Sequence, residues 1–193
     1  AAAALGLAGG RVLPVPVDAQ GLQVAALEAL GPVRLLHVTP SHQFPGGAVM
    51  SLQRRLDLLD WARRREAWLL EDDYDGEYRY VGVPLAPLAS LDPAGRTLYV
   101  GTFSKLLFPG LRLGYLVAAP ALVPLLVRLK QAADLHSNRV SQHVVLAQLR
   151  SPDRAERMQR VVDAYRRKRD FFAAAQRKPE LAPARIGTLR DKL

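Results

Sequence analysis

The sequence contains no cysteine, so it can form neither disulfide bonds nor thiolate metal sites. It also lacks any uninterrupted apolar run approaching the roughly 20 residues that a membrane-spanning helix requires. Internal repeats and low-complexity tracts are absent as well. These absences exclude disulfide-stabilised small domains, cysteine-based zinc modules and solenoid repeats, and they argue against a membrane-spanning helix.

What the chain does contain is typical of a globular domain. Its 193 residues can bury a sizeable core, and 49% of them are hydrophobic while 23% are charged. The formal charge of +9 is concentrated near the end, where residues 150–193 hold 13 Lys or Arg and 6 Asp or Glu. Most of these charges fall on a helix-like segment without a recognisable nucleic-acid-reading helix, which favours a solvated helix face over a nucleic-acid-binding surface.

Strand and helix patterns alternate along the chain, and this order predicts the fold class. We expect an α/β fold with a mostly parallel sheet, right-handed crossovers and helices on its faces. The first strand is expected to be an edge or irregular one because it contains Pro14 and Pro16. The predicted strands are residues 11–17, 34–38, 68–71, 97–100 and 113–117, and the predicted helices are residues 23–30, 51–65, 121–135, 137–150 and 153–178.

Two of the predicted helices carry explicit packing expectations. Ser51 is expected to cap the helix over residues 51–65, and the helix over residues 121–135 has leucine and valine on several faces, which predicts close packing. For the helix over 51–65, the predicted apolar stripe is Leu52, Leu56, Leu59 and Trp61 or Ala62, and the predicted solvent side is Arg54, Arg55, Arg63 and Arg64.

The most informative stretch is residues 97–117, TLYVGTFSKLLFPGLRLGYLV, in which Lys105 lies in a loop between two predicted strands. Thr102 and Ser104 come just before the lysine, and Arg112 follows it. Hydroxyls and a guanidinium can bind phosphate oxygens while an amine remains available for covalent chemistry. The grouping therefore indicates a site for a phosphorylated ligand, with a solvent-facing lysine in a polar loop as the alternative.

Acidic residues follow another predicted strand. Residues 67–80 read AWLLEDDYDGEYRY, so the apolar strand that begins at Trp68 ends in a polar cluster. Open α/β sheets bind ligands at the carboxyl ends of their strands. The candidates at this end are Glu71, Asp72, Asp73, Tyr74 and Asp75.

Together these segments resemble the aminotransferase-like domain of MocR-type transcriptional regulators, within the fold-type I pyridoxal-phosphate enzymes. EDDYD is followed, 31 residues after Tyr74, by the lysine of GTFSK and then by FPGLRLGY. Residues 38–47, VTPSHQFPGG, resemble the VTPSHQFPTG of that family, with Gly46 where threonine is usual. The resemblance extends over roughly residues 11–169. It implies an incomplete large domain of the fold-type I aminotransferase fold, followed by a helical segment.

The resemblance implies pyridoxal 5'-phosphate as the cofactor and no metal. Lys105 would form an internal aldimine with it, a Schiff base, and would then act as a general acid and base. Asp72 would favour the protonated pyridine nitrogen, and Tyr74 would donate a hydrogen bond to the phenolic oxygen. Thr102, Ser104 and Arg112 would bind the phosphate. Gln43 and His42 are candidates for approaching the phenolic oxygen, and the alternative is a turn whose polar side chains satisfy their own backbone.

The remaining acidic residues receive no role from the resemblance. Glu71, Asp73 and Asp75 are expected to cap helices or face solvent. The predicted organisation is part of the cofactor-binding large domain over residues 1–150, a long helix leading towards the small domain over 151–178, and an irregular basic tail over 179–193. The chain is therefore expected to be an internal piece of the large domain, lacking the upstream phosphate loop, the aromatic residue that stacks on the pyridine ring and the downstream carboxylate-binding arginine.

Three functions are compatible with these implications. The first is the effector-sensing domain of a MocR-type regulator, which binds an amine or amino acid. The second is a catalytically active class I/II aminotransferase, and the third is a non-functional fragment. The resemblance also implies a cytoplasmic homodimer without membrane contact, in which DNA is bound only through a winged-helix domain that this chain does not include.

Overall fold

A four-stranded sheet forms the centre of the computed structural model, which describes residues 2–78, 85–105 and 107–176. Its strands are β3 (Leu35–Val38), β4 (Trp68–Asp73), β5 (Thr97–Thr102) and β6 (Gly114–Val117). They are adjacent in that order. β3, β4 and β5 run parallel, and β6 pairs antiparallel with β5. The predicted α/β class with a mostly parallel sheet is confirmed.

Helices alternate with the strands and then dominate the end of the chain. They are α1 (Ala2–Leu7), α2 (Val24–Leu27), α3 (Leu52–Arg64), α4 (Leu88–Leu91), α5 (Val123–Asp134), α6 (Arg139–Arg150) and α7 (Arg154–Gln176). Short 3-10 turns cover Gly76–Tyr78, Pro109–Leu111 and Pro120–Leu122. Two connections matter below: the β3–α3 loop, residues 39–51, and the lysine loop, residues 103–113.

The first predicted strand is wrong over most of its length. Residues 11–16 form no strand, and only β1 (Val17–Asp18) pairs with β2 (Gly21–Leu22) in a small antiparallel hairpin. Pro14 and Pro16 account for this because proline has no amide hydrogen to donate to a strand partner. The helix predicted over residues 23–30 is shorter as well, since α2 covers a single turn.

The hydrophobic core lies on one face of the sheet. Leu36 and Val38 point to the same face because they are two residues apart on β3, and Leu69 of β4 is opposite Leu36. All three side chains are buried. Each large apolar side chain that is fully buried contributes about 1.5–3 kcal/mol. The rest of the cluster is Leu22 of β2, Leu27 of α2, Met50 of the β3–α3 loop, Leu58, Leu59, Trp61 and Ala62 of α3, Ala67 just before β4, and Leu88 of α4.

Helix α3 begins as predicted but is rotated relative to the predicted stripe. The Ser51 hydroxyl accepts a hydrogen bond from the Arg54 backbone N–H at 3.4 Å, which confirms the cap. Leu52 and Leu56 were predicted to be buried, yet they are 47% and 43% exposed. Arg55 was predicted to face solvent, yet it is fully buried. Backbone carbonyls that accept hydrogen bonds from its guanidinium explain this difference.

The apolar side chains of β6 and α5 are not buried. Every residue of β6 is exposed, and α5 contains no buried residue. The close packing predicted for the helix over residues 121–135 is therefore wrong for this structure, in which Leu129 is 57% exposed. Leucine and valine on several faces indicate a surface suited to burial, and no described segment covers it.

The chain divides into two compact units, of which the first ends at Leu146 and the second begins at Ala147. The predicted basic tail over residues 179–193 lies outside the described residues, and so do residues 177–178 of the last predicted helix. In the part of the chain that is described, no helix combines the length and apolar character needed to cross a membrane.

Candidate functional site

The carboxyl ends of β4 and β5 lie side by side. Asp72 on β4 is opposite Val100 on β5, so the segments that follow these parallel strands begin at the same edge of the sheet. Tyr74 follows β4 directly, and Lys105 lies in the lysine loop that follows β5. Asp72, Tyr74 and Lys105 all line one cavity of about 950 Å³. The structure thus brings together three of the predicted site residues.

Lys105 is exposed, and its backbone is anchored. Its Nζ lies over the ring of Tyr74, 5.7 Å from the ring centroid. A cation in this position is attracted by the negative face of the ring. The hydroxyl of the buried Tyr78 donates a hydrogen bond to the Lys105 backbone carbonyl. The amine is therefore accessible while the main chain that carries it has a fixed partner.

Tyr74 connects the two loops at this site. Its hydroxyl donates a hydrogen bond to the backbone carbonyl of His42 at 3.0 Å. Burial raises the pKa of the Tyr74 phenol, and the nearby negative charges of Asp75, Asp72 and Asp73 raise it further. The phenol consequently keeps its proton and acts as a hydrogen-bond donor.

Asp72 has a histidine partner that sequence reasoning missed. His37 Nε2 lies 3.1 Å from Asp72 Oδ2. His37 is opposite Leu70 in the β3–β4 register, and Leu70 and Asp72 share a face of β4. Strand alternation combined with the expected parallel pairing could have identified this neighbour. When its Nε2 carries a proton, His37 can donate to the carboxylate and orient it.

The two candidates in the β3–α3 loop already have partners within the protein. Gln43 Nε2 donates to the Phe44 carbonyl at 2.7 Å, and Gln43 Oε1 accepts from the Gly46 N–H at 2.9 Å. His42 Nδ1 lies 2.9 Å from Asp75 Oδ1. Gln43 also lines the cavity. A contact of either residue with a cofactor remains a prediction.

Glu71 and Asp73 are not among the residues that line the cavity, and both have structural partners. Glu71 is fully buried and accepts the backbone N–H groups of Leu88 and Ala89 at 2.9 and 3.0 Å, so it caps α4. Asp73 Oδ2 accepts a hydrogen bond from the Tyr99 hydroxyl at 2.8 Å. The expectation of a capping position for Glu71 agrees with these contacts, whereas a solvent-facing position does not.

The residues predicted to bind phosphate flank the lysine. Thr102 Oγ1 accepts a hydrogen bond from the Ser104 N–H at 3.1 Å, which brings these two residues together. Arg112 is exposed and has a left-handed backbone conformation with φ of 47°, which is uncommon for a residue other than glycine. Among the described residues that line the cavity of Asp72, Tyr74 and Lys105, these three do not appear.

The chemistry of this set of groups is specific. An accessible lysine amine can form a covalent bond with an aldehyde. A carboxylate favours the protonated form of an aromatic ring nitrogen, and a protonated phenol can donate to an oxygen anion. Hydroxyls and a guanidinium bind phosphate oxygens. The residues present therefore fit a phosphorylated aromatic aldehyde that contains a ring nitrogen.

Comparison with known proteins gives a consistent picture. The profile of the family described as Aminotransferase class I and II matches residues 2–185. YdeL of Bacillus subtilis, described as an uncharacterized HTH-type transcriptional regulator, is 38% identical over 167 residues, which are 85% of this chain and 35% of YdeL. MocR of Rhizobium meliloti, described as a probable rhizopine catabolism regulatory protein, is 45% identical over 115 residues, which are 60% of this chain and 23% of MocR.

A solved structure shows the same fold. LysN, an α-aminoadipate aminotransferase of Thermus thermophilus, was solved in complex with N-(5'-phosphopyridoxyl)-L-leucine. It matches with a TM-score of 0.75 and 36% identity, over 83% of this chain and 42% of LysN. The chain thus spans less than half the length of each of these proteins.

Proposed function

Since the chain belongs to the aminotransferase class I and II family, we propose that it binds pyridoxal 5'-phosphate as an aminotransferase-like domain and attaches it covalently through Lys105. The family resemblance found in the sequence is confirmed. The observation that carries the proposal is that Lys105, Asp72 and Tyr74 line one cavity. The phosphopyridoxyl ligand of the similar LysN structure supports the class of cofactor.

Each group of the cofactor has a proposed partner in this chain. Lys105 would hold the aldehyde carbon, Asp72 the ring nitrogen and Tyr74 the phenolic oxygen. When bound, the cofactor supplies an electron sink for reactions at the carbon next to an amino group. The Lys105 amine can then carry a proton to or from that carbon. The proposed phosphate ligands are Thr102, Ser104 and Arg112, and His42 and Gln43 are proposed to border the phenolic oxygen.

For the whole protein, we propose an effector-sensing role in a MocR-type transcriptional regulator. An amine or amino acid would react at the cofactor, and the change would reach DNA through a winged-helix domain outside this chain. The regulators YdeL and MocR among the similar proteins support this role. We also propose a cytoplasmic homodimer, with residues 1–150 in the cofactor-binding large domain and residues 151–178 leading towards a small domain.

A second candidate function is steady amino-group transfer. The likeness to LysN, an aminotransferase, favours it, because the proposed cofactor residues serve an enzyme and a sensor equally well. The two functions differ in turnover. A sensor converts the bound amine slowly or not at all, whereas an aminotransferase passes the amino group to a keto acid in repeated cycles.

The test of both proposals uses the protein at its natural length. Borohydride reduction in the presence of pyridoxal phosphate, followed by peptide mass mapping, should place a pyridoxyl group on Lys105. Lys130, which pairs with Asp134 on the exposed helix α5, serves as the comparison. A pyridoxyl group on Lys130 instead of Lys105 would refute the assignment. Repeated conversion of a panel of amino acids with a keto acid would establish the aminotransferase. Amine-dependent spectral change without turnover would establish the sensor.

A further inference from the structure

Arg55 is fully buried, although arginine rarely occupies a protein interior. Its Nε donates a hydrogen bond to the Met50 carbonyl at 3.1 Å, and its Nη2 donates to the Pro40 carbonyl at 3.0 Å. Its Nη1 donates to the Ala86 carbonyl at 3.0 Å. The guanidinium is therefore committed to main-chain carbonyls of segments next to the candidate site.

Pro40 and Met50 each lie one residue inside an end of the β3–α3 loop, and together they form its neck. The Met50 N–H donates to the Pro40 carbonyl at 2.9 Å and closes the neck of the loop. Arg55 binds the carbonyls of both residues, so one planar guanidinium spans this neck. Surface loops whose ends meet in this way are compact units. The position of the neck therefore determines where the rest of the loop lies.

Glu71 places a negative charge beside this buried cation. Its Oε1 lies 3.9 Å from Arg55 Nη1, and both side chains are fully buried. Glu71 is fixed in turn by the backbone N–H groups of Leu88 and Ala89. Because Glu71 directly precedes Asp72 on β4, the same buried network joins the loop neck to the strand that carries the predicted ring-nitrogen partner.

The other side of the β3–α3 loop contacts the candidate site. The His42 carbonyl is the acceptor of the Tyr74 hydroxyl, and His42 Nδ1 approaches Asp75. The ring of Phe44 meets the ring of Tyr74 edge to face, with centroids 6.4 Å apart. A movement of the loop neck would therefore move the acceptor and the neighbours of the Tyr74 hydroxyl.

We infer that Arg55 is a positioning residue, which clamps the neck of the β3–α3 loop and thereby holds the hydroxyl of Tyr74 in place, the tyrosine whose ring lies beside the Lys105 amine. That Arg55 clamps the loop neck is a property of the protein without cofactor. That the clamp positions Tyr74 towards a cofactor rests on the proposed function.

The loop is tested without cofactor by amide hydrogen exchange. Arg55→Lys keeps a positive charge near Glu71 but removes the planar fork that spans the neck. We expect the Gln43 and Gly47 amides, which donate within the loop, to exchange at least about tenfold faster in this variant, while amides of α3 keep their rates. The control is Arg54→Lys, next to Arg55 but paired with Asp18, which should leave these rates unchanged.

Unchanged loop exchange in a folded Arg55→Lys protein would overturn the clamp. If that variant does not fold, the unmodified protein decides the question through the Arg55 Nε proton. A clamp requires this proton and the Gln43 and Gly47 amides to become exposed in the same opening, with similar protection. Loop amides that exchange more than about a hundredfold faster than the Nε proton would show that the loop opens while Arg55 stays bound.

A pH titration of the cofactor absorbance tests whether Arg55 positions Tyr74 towards the cofactor. With pyridoxal phosphate bound, we expect Arg55→Lys to shift the pH midpoint of the cofactor absorbance by about half a unit or more, because the phenol of Tyr74 is displaced. Arg54→Lys should leave the midpoint in place. A lower melting temperature with an unmoved midpoint would show that Arg55 is only structural. If no cofactor binds to any of the proteins, the proposed function fails, and the exchange rates still decide the clamp.

Discussion

The β3–α3 loop and the lysine loop both border the candidate site, but they are held in different ways. The first is clamped at its neck by the buried Arg55 and braced at its tip by Gln43. In the lysine loop, the side chains of Lys105, Phe108 and Arg112 are exposed. The two loops therefore differ in function: the β3–α3 loop is preformed by buried polar contacts, and the lysine loop presents reactive groups to solvent.

This difference has an energetic consequence. A buried polar group that loses its partner costs free energy of folding, because water cannot replace the lost hydrogen bond. An exposed side chain can be removed with little change in stability, because water already solvates it. We therefore expect substitutions around the β3–α3 loop to lower stability, and substitutions in the lysine loop to lower cofactor binding alone.

The largest effect is expected from Lys105→Ala. Covalent attachment of pyridoxal phosphate should be abolished, because the amine that forms the bond is gone. The free energy of unfolding should change by no more than about 0.5 kcal/mol, since Lys105 is exposed and the bond from Tyr78 goes to its backbone carbonyl, which the substitution keeps. Borohydride labelling and chemical denaturation measure the two quantities. Lys130→Ala is the control, and loss of labelling in that variant would contradict the assignment.

The opposite pattern is expected from Glu71→Ala. The free energy of unfolding should fall by about 3–5 kcal/mol, because the buried Arg55 loses its counter-charge and two backbone N–H groups lose their acceptor. Glu156→Ala removes an exposed carboxylate of α7, paired with Arg160, and should cost only about 0.3–0.5 kcal/mol. Urea denaturation of both variants tests this contrast. Equal losses would show that the Arg55–Glu71 pair is not a structural centre.

Glu71 also predicts a pH dependence of stability. Burial raises the pKa of its carboxyl, although hydrogen bonds from Ala89 and Leu88 and the charge of Arg55 oppose the shift. The folded state therefore binds a proton more readily than the unfolded state. The resulting stability is fully present below the ordinary carboxyl pKa and is lost as pH rises through the raised one. Glu71→Gln should remove this loss of stability at rising pH. Urea denaturation at several pH values measures it, and an unchanged pH dependence in the variant would contradict the assignment to Glu71.

Asp72 and Asp73 are neighbours on β4 with opposite expected roles. Asp72→Ala should weaken pyridoxal phosphate binding by about ten- to a hundredfold with little loss of stability, since its side chain is partly exposed and its partner is His37. Asp73→Ala should lower stability by about 1–2 kcal/mol, because the Tyr99 hydroxyl loses its acceptor. Cofactor titration and denaturation of both variants provide the test. Equal loss of cofactor binding would mean that the wrong carboxylate has been assigned.

The sequence predicted the sheet and the proximity of the strand-end residues for a physical reason, whereas the family resemblance selected Asp72 and Tyr74 from the acidic cluster. Asp72, Tyr74 and Lys105 lie at the ends of two apolar strands, and parallel pairing brings such ends together whatever the intervening chain does. Alternation along the strands likewise predicts which face is buried. These features depend on local patterns repeated over several residues, so a single sequence carries them.

Arg55 and Gln43 could not be predicted in the same way. A helical pattern places an arginine on the solvent side, and only the folded chain shows that carbonyls 15 residues before Arg55 and 31 residues after it converge there. The Gln43 side chain is turned back by the Gly46 N–H and the Phe44 carbonyl of its own loop. The exposure of α5 was missed because an apolar pattern predicts a need for burial but not the surface that satisfies it.

The smallest effect is expected at Gly46, where the related family pattern has threonine. A Cβ atom at this position would lie 2.6 Å from Gln43 Oε1, so Gly46→Ala should displace the glutamine amide from its own loop. Losing the bond from the Gly46 N–H should lower stability by about 0.5–1 kcal/mol. If the freed amide reaches the phenolic oxygen, pyridoxal phosphate should bind about two- to fivefold more tightly. Cofactor titration of Gly46→Ala, Gln43→Ala and the double variant separates the contributions, because the gain requires the amide. A gain that persists in the double variant would exclude Gln43 as its source, and unchanged affinity in all three would leave Gln43 as a brace of the β3–α3 loop.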